Sequence, residues 1–96
     1  MADAPGRAVV PPILYLPVRE AGKEPPVVEI RKQPSGELTL LAFTALDRLL
    51  DACGYEQPWI FVQTAVLGEF KARQPFEKIS FDPVISDQLK RGGRLI

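Results

Sequence analysis

The chain has no histidine, and that absence alone removes much of the chemistry a small domain can do. Without an imidazole there is no Ser-His-Asp or Cys-His relay, no commonest general base and no histidine-bearing zinc site. A single cysteine, Cys53, rules out an intrachain disulfide and any CxxC framework. Twelve basic residues balance twelve acidic ones, so the basic excess typical of a general nucleic-acid binder is missing. No apolar run approaches the ~18 residues of a membrane span. No glycine pattern matches a phosphate loop or a dinucleotide turn, because Gly92-Gly93 has no helix after it. The opening stretch, with an early acid and scattered prolines, does not read as a signal peptide. These absences predict a non-enzymatic, cytoplasmic chain with no metal or cofactor, with nucleic acid disfavoured as a partner.

The composition is that of an ordinary globular protein: 96 residues, 46% hydrophobic and 25% charged. That is one domain's worth, able to bury somewhat over ~60% of its unfolded surface. The best-marked stretch is Leu38–Gln63, LTLLAFTALDRLLDACGYEQPWIFVQ. Leu38–Phe43 is apolar except for Thr39 and reads as a strand buried on both faces. Thr44 is a helix cap, with Asp47 three residues on as the partner in a weak capping box. Leu46, Leu49, Leu50 and Cys53 fall at i, i+3, i+4 and i+7, the stripe of an amphipathic helix. Gly54 supplies the left-handed stop. Pro58 then opens a second buried strand, Trp59–Val62, expected to run parallel to the first through a right-handed crossover.

Around this unit the pattern is simpler. Residues 1–12 read as a flexible lead-in. Ile13–Val18 is a strand apolar on both faces, with Pro17 at an edge, a bulge or the strand end. In Val27–Lys32, Val28 and Ile30 point inward while Glu29 and Arg31 point to water. The turn Pro34–Glu37 makes that strand a hairpin with the next. Thr64 caps a short helix, Ala65–Arg73, with Val66, Leu67 and Phe70 inward. Ile79 and Phe81 mark a last strand, closed by Asp82-Pro83. Residues 86–96 carry no period and read as a flexible tail. The fold class is therefore α/β (α+β). One layered domain over 13–85 holds a mixed five-stranded sheet and two helices in the order βββαβαβ, the helices most simply on one face.

Few residues stand out as sites. Asp47 and Asp51 lie at i, i+4 on the solvent side of the first helix, where a cap and a solvated charge explain them. Ser35, Ser80 and Ser86 have no activating neighbour. Cys53, on the apolar stripe, reads as a buried structural thiol. Lys90, Arg91 and Arg94 give the tail only a weak attraction for phosphate. Tyr15 and Trp59 are the possible partner contacts, since aromatics of this kind fill cores or anchor interfaces. If the first strand lies at the sheet edge, its apolar faces invite self-association or an added partner strand.

Three segments, ILYLPVRE (Ile13–Glu20), LLAFTALDRLLDACG (Leu40–Gly54) and QPWIFVQTAVL (Gln57–Leu67), followed by FDP at Phe81–Pro83, resemble small actinobacterial proteins related to the SseB N-terminal domain. Ala45 and Asp47 stand where that family has Ser or Pro and Glu. The resemblance implies an SseB-like α/β domain with no catalytic residues to carry over, and it hints at protein–protein contact. The expected function is a non-enzymatic interaction or adaptor module of a soluble bacterial protein. The alternative is a small-ligand-binding regulatory domain with a pocket between sheet and helix.

Overall fold

The computed structural model describes residues 11–96, so the expected lead-in falls almost wholly outside the described residues. The elements are β1 (Ile13–Pro17), β2 (Ile30–Lys32), β3 (Leu38–Ala42), α1 (Leu46–Cys53), β4 (Trp59–Gln63), α2 (Leu67–Arg73), β5 (Lys78–Phe81), β6 (Lys90–Arg91) and β7 (Arg94–Leu95). Single 3-10 turns at Thr64–Val66 and Asp87–Leu89 lead into α2 and β6. The chain is a small α+β domain with two helices and mixed strand pairing.

The strands divide into ladders rather than one regular sheet. β1 and β4 pair antiparallel, with Tyr15 opposite Phe61 and Pro17 opposite Trp59. β2 and β3 form the expected antiparallel hairpin, and β5 lies parallel on the other edge of β3. Two points join the ladders. Tyr15 and Phe43 exchange backbone bonds of 2.9 Å. The Glu29 N–H donates to the Pro17 carbonyl at 3.0 Å, while its own carbonyl accepts from Leu41 at 3.2 Å. β1 is thus an inner strand, and among the described residues the open edge that the sequence suggested for it belongs to β4. β3 and β4 do not pair. Each runs antiparallel to β1, so they point the same way with β1 between them.

β3 shows why the helices take opposite faces, which corrects the one-face expectation. Successive strand residues point to opposite sides. Leu40 and Ala42 pack with Leu14, Leu16, Val62, Phe70 and Phe76, while Leu41 and Phe43 pack with Leu49, Cys53 and Leu95. A strand apolar on both faces needs a cover on each. α2 supplies one through Phe70, and α1 the other through its stripe, in which Leu49 and Cys53 are fully buried. Burying one such leucine contributes about 2 kcal/mol.

Side chains expected to cap helices do other work. Ala45 is the N-cap of α1 and makes no side-chain cap bond; Thr44, one residue earlier, is engaged by Asp82 instead. Thr64 likewise caps nothing with its hydroxyl, which donates to the Pro11 carbonyl. Gly54 does end α1 as expected, at φ 116°, its N–H donating to the Leu50 carbonyl at 2.9 Å. At the end of α2 the Gln74 amide accepts from the Val28 N–H at 2.9 Å and donates to the Val28 carbonyl at 3.1 Å. That pair substitutes for a neighbouring strand.

The segment expected as a flexible tail is folded onto the α1 face. β6 and β7 form a two-residue hairpin, and Leu95 fills the α1-side core at 2% exposure. Buried Gln57 anchors it: its Oε1 accepts from the Leu95 N–H at 2.8 Å, and its Nε2 donates to the carbonyls of Val18 and Pro58. Glu29, expected to face water, is instead 2% exposed. Its carboxylate is held by Arg19 at 3.0 Å and Arg31 at 3.2 Å. Pairing and bonding of this kind offset the cost of taking a charged group out of water.

Candidate interaction surface

Among the described residues β4 is an edge strand, with one wet, apolar face. Ile60 and Val62 point to the α2-side core, whereas Trp59 and Phe61 on the opposite face are 38% and 65% exposed. The sequence suggested a strand buried on both faces; α1 covers β3 and the near side of β1 but stops short of β4. Tyr15 sits at that boundary, half-buried against the Phe43–Leu49 cluster.

The structure brings the two expected contact residues together. The Tyr15 and Trp59 rings meet edge to face, with centroids 5.9 Å apart and planes at 65°, a geometry favoured by the ring quadrupoles. Phe61 completes the patch directly across from Tyr15. Tyr15 spends its backbone groups on Phe43, so Tyr15 and Phe61 form a non-hydrogen-bonded pair, the kind in which facing side chains come closest. Phe61 was missed in the sequence, although its i, i+2 relation to Trp59 places the two on one strand face.

The free edge of β4 follows from the same alternation. Ile60 and Val62 stand opposite Leu16 and Leu14 and bond inward, leaving the N–H and C=O groups of Trp59 and Phe61 pointing away from β1, while the Gln63 carbonyl opens the 3-10 turn that follows. No charged residue and no proline lies within Trp59–Gln63. Charges, prolines and bulges are the usual devices that keep an edge from pairing.

Several polar groups elsewhere are occupied with one another. The Asp82 carboxylate accepts from the Thr44 N–H at 2.8 Å, the Thr44 hydroxyl at 2.7 Å and the Arg48 guanidinium at 2.8 Å. Burial pushes this carboxyl up, and the bonds from Thr44 and Arg48 outweigh it, holding the group below its ordinary value. Asp47 accepts from the Arg48 N–H at 3.0 Å, and Asp51 accepts from the Tyr55 hydroxyl at 2.6 Å, which raises the Tyr55 phenol above its usual range. The two carboxylates therefore answer to different neighbours. Burial, helped by the charge of Glu29, pushes the Cys53 thiol up to about 11.

Ser86 caps the turn at Asp87–Leu89, and Ser35 donates weakly to Glu37 at 3.4 Å. Of the basic residues expected on a tail, Lys90 pairs with Asp87 at 3.2 Å and Arg94 donates to the Arg19 carbonyl. No group of three or more Cys, Asp or Glu side chains placed to hold a metal ion occurs among the described residues. No helix among them is long and apolar enough to cross a membrane. Comparison of the chain with protein-family models, with curated proteins and with solved structures finds no match.

Proposed function

We propose that this chain is a non-enzymatic protein-interaction module that takes up an extended segment of a protein partner along β4. One observation carries the reading: an uncharged strand edge lies directly beside an exposed aromatic patch. Strand addition uses these two elements together. Backbone bonds from Trp59 and Phe61 supply affinity, and alternate side chains of the incoming segment supply specificity. The matching segment is uncharged and apolar at every second residue, so that its apolar face extends over Trp59 and Phe61. Kinship with SseB-type domains and a cytoplasmic bacterial setting belong to the same proposal and rest on the sequence motifs.

The test is a pull-down from native cell extract, read against a variant carrying Phe61→Lys. A charge at an exposed edge position blocks pairing and should leave stability within about 0.5 kcal/mol. The reading predicts a stoichiometric protein that wild type captures and the variant loses. Native mass spectrometry separates the sources of the strand, a Phe61-dependent dimer identifying a second copy as the occupant. Equal capture by both proteins, or none together with a monomer at micromolar concentration, removes the proposal.

A further inference from the structure

A second opening lies on the α1-side face of the β2–β3–β5 ladder, away from β4 and independent of the edge reading. Thr39 forms its floor. This residue is 4% exposed, and its hydroxyl oxygen has no hydrogen-bond partner among the described residues. A buried hydroxyl left unpaired costs a fold stability, and valine would fill the same volume in a strand without that cost. The register sets Thr39 between Arg31 on β2 and Lys78 on β5. Arg31 is committed elsewhere, bonded to Glu29 and to the Ile96 carbonyl at 3.1 Å. Lys78 stays at the opening, its ammonium 3.0 Å from the Glu37 carboxylate.

A cleft of about 510 Å³ opens over Thr39, Glu37, Lys78 and Ser80. Ser80 also lines an adjoining cleft of about 310 Å³ that reaches Leu41, Ile85 and Leu89. Both volumes fall within the size range of small-molecule sites. One end offers a cation, an anion and the hydroxyl groups of Ser35, Thr39 and Ser80, and the other is mostly apolar, with Arg31 and Gln33 also lining it. The Lys78–Glu37 pair is solvent-exposed, so parting it is cheap. Because the pair is neutral as a whole, a lone anion or a lone cation gains less there than a molecule bearing both charges.

We propose that this cleft binds a small zwitterion with an apolar side chain, a free aliphatic α-amino acid being the simplest member of the class. The ligand carboxylate accepts from Lys78 Nζ and, as the Thr39 side chain turns its enclosed hydroxyl toward the cleft, from that hydroxyl; its ammonium donates to Glu37, and its side chain lies toward Leu41 and Ile85.

The experiment is a titration of the isotope-labelled full chain with L-leucine, followed by backbone amide shifts. Saturable shifts around Thr39, Lys78 and Ser80 are expected, with half-saturation near ~1 mM, a weak affinity suited to an open cleft. N-acetyl-leucine, which lacks the ammonium, and leucinol, which lacks the carboxylate, should each bind at least about tenfold more weakly, as loss of a charged contact demands. Thr39→Val should fold with an equal or higher melting midpoint and bind at least about tenfold more weakly. Shifts that never saturate, equal binding of N-acetyl-leucine, or undiminished binding by Thr39→Val overturn the proposal. Should Thr39→Val fail to fold, Lys78→Gln on the exposed rim decides, since binding equal to wild type rejects the site.

Discussion

Thr44 and Asp82 are joined twice, the threonine giving its backbone N–H to one carboxylate oxygen and its hydroxyl to the other, at 2.8 and 2.7 Å. The contact fastens the approach to α1 onto the end of β5, across 38 residues of chain. Asp82 holds φ 50° there, a left-handed conformation that Asp and Asn accept more readily than other side chains.

The titration of Asp82 gives the first prediction. Its folded-state value lies below the ordinary 3.8, so the charged form is favoured by folding. The stabilisation is fully present above the ordinary value and disappears as pH falls through the folded one. Asp82→Asn keeps the backbone preference and removes the charge, so it should lose about 1–2 kcal/mol near neutrality. Its urea midpoint should also fall less steeply than that of wild type in the acid range. Parallel acid limbs for the two proteins would assign the pH dependence elsewhere.

Gly54 should resist any side chain. A Cβ built there meets the Gly93 carbonyl oxygen at 2.1 Å, backbone that cannot yield, and φ is 116°. Gly36 has a similar φ of 92° and open space around it. Gly36→Ala should therefore cost about 1 kcal/mol, the conformational part alone. Gly54→Ala should cost at least about 2 kcal/mol more, by displacing the β6–β7 hairpin. Equal unfolding free energies for the two variants would show that the hairpin contact carries no weight.

Glu29 sets up a non-additive pair. Removing Arg31 leaves a carboxylate at 2% exposure with half its compensation, and Arg31→Met should cost about 3 kcal/mol. Replacing both Glu29 and Arg31 by Met should recover most of that loss, because the under-compensated buried charge is then gone. A double-mutant cycle in urea measures the coupling. A double variant less stable than the Arg31→Met single would contradict it.

Cys53 should behave as a hydrocarbon until the domain opens. With its thiol pushed up to about 11 by burial and by Glu29, almost no thiolate exists at mildly alkaline pH. Native protein should react with iodoacetamide only at its opening rate, and urea-unfolded protein at the rate of a free thiol. Rapid stoichiometric labelling of the native chain would place the side chain at the surface.

Much of the local structure was legible because it is periodic or punctuated. The Leu46–Cys53 stripe, the stop at Gly54 and the Pro34–Glu37 hairpin each follow from spacing within one element. The opposite helix faces were implicit in Leu40–Phe43, whose alternate residues are all apolar and so need two covers. What stayed hidden depends on residues far apart in the chain. Thr44 looks like a cap until Asp82 is brought beside it, and Glu29 looks solvated until Arg19 folds against it. β6 and β7, two residues each, are too short for any period to show. The aromatic patch was half legible: Tyr15 and Trp59 stood out by residue type. That Phe61 joins them in the open could not be seen without knowing where α1 stops.

The inner position of β1 bears on how the chain is made. On the ribosome this strand is translated before the strands it pairs with, so Tyr15 must wait for Phe43 and Phe61, and Ile13 for Gln63. Pairings of such long sequence separation form slowly. During that interval ILYLP is a sticky nascent segment with no neighbour, the stretch of this chain that a holding chaperone would be most useful to.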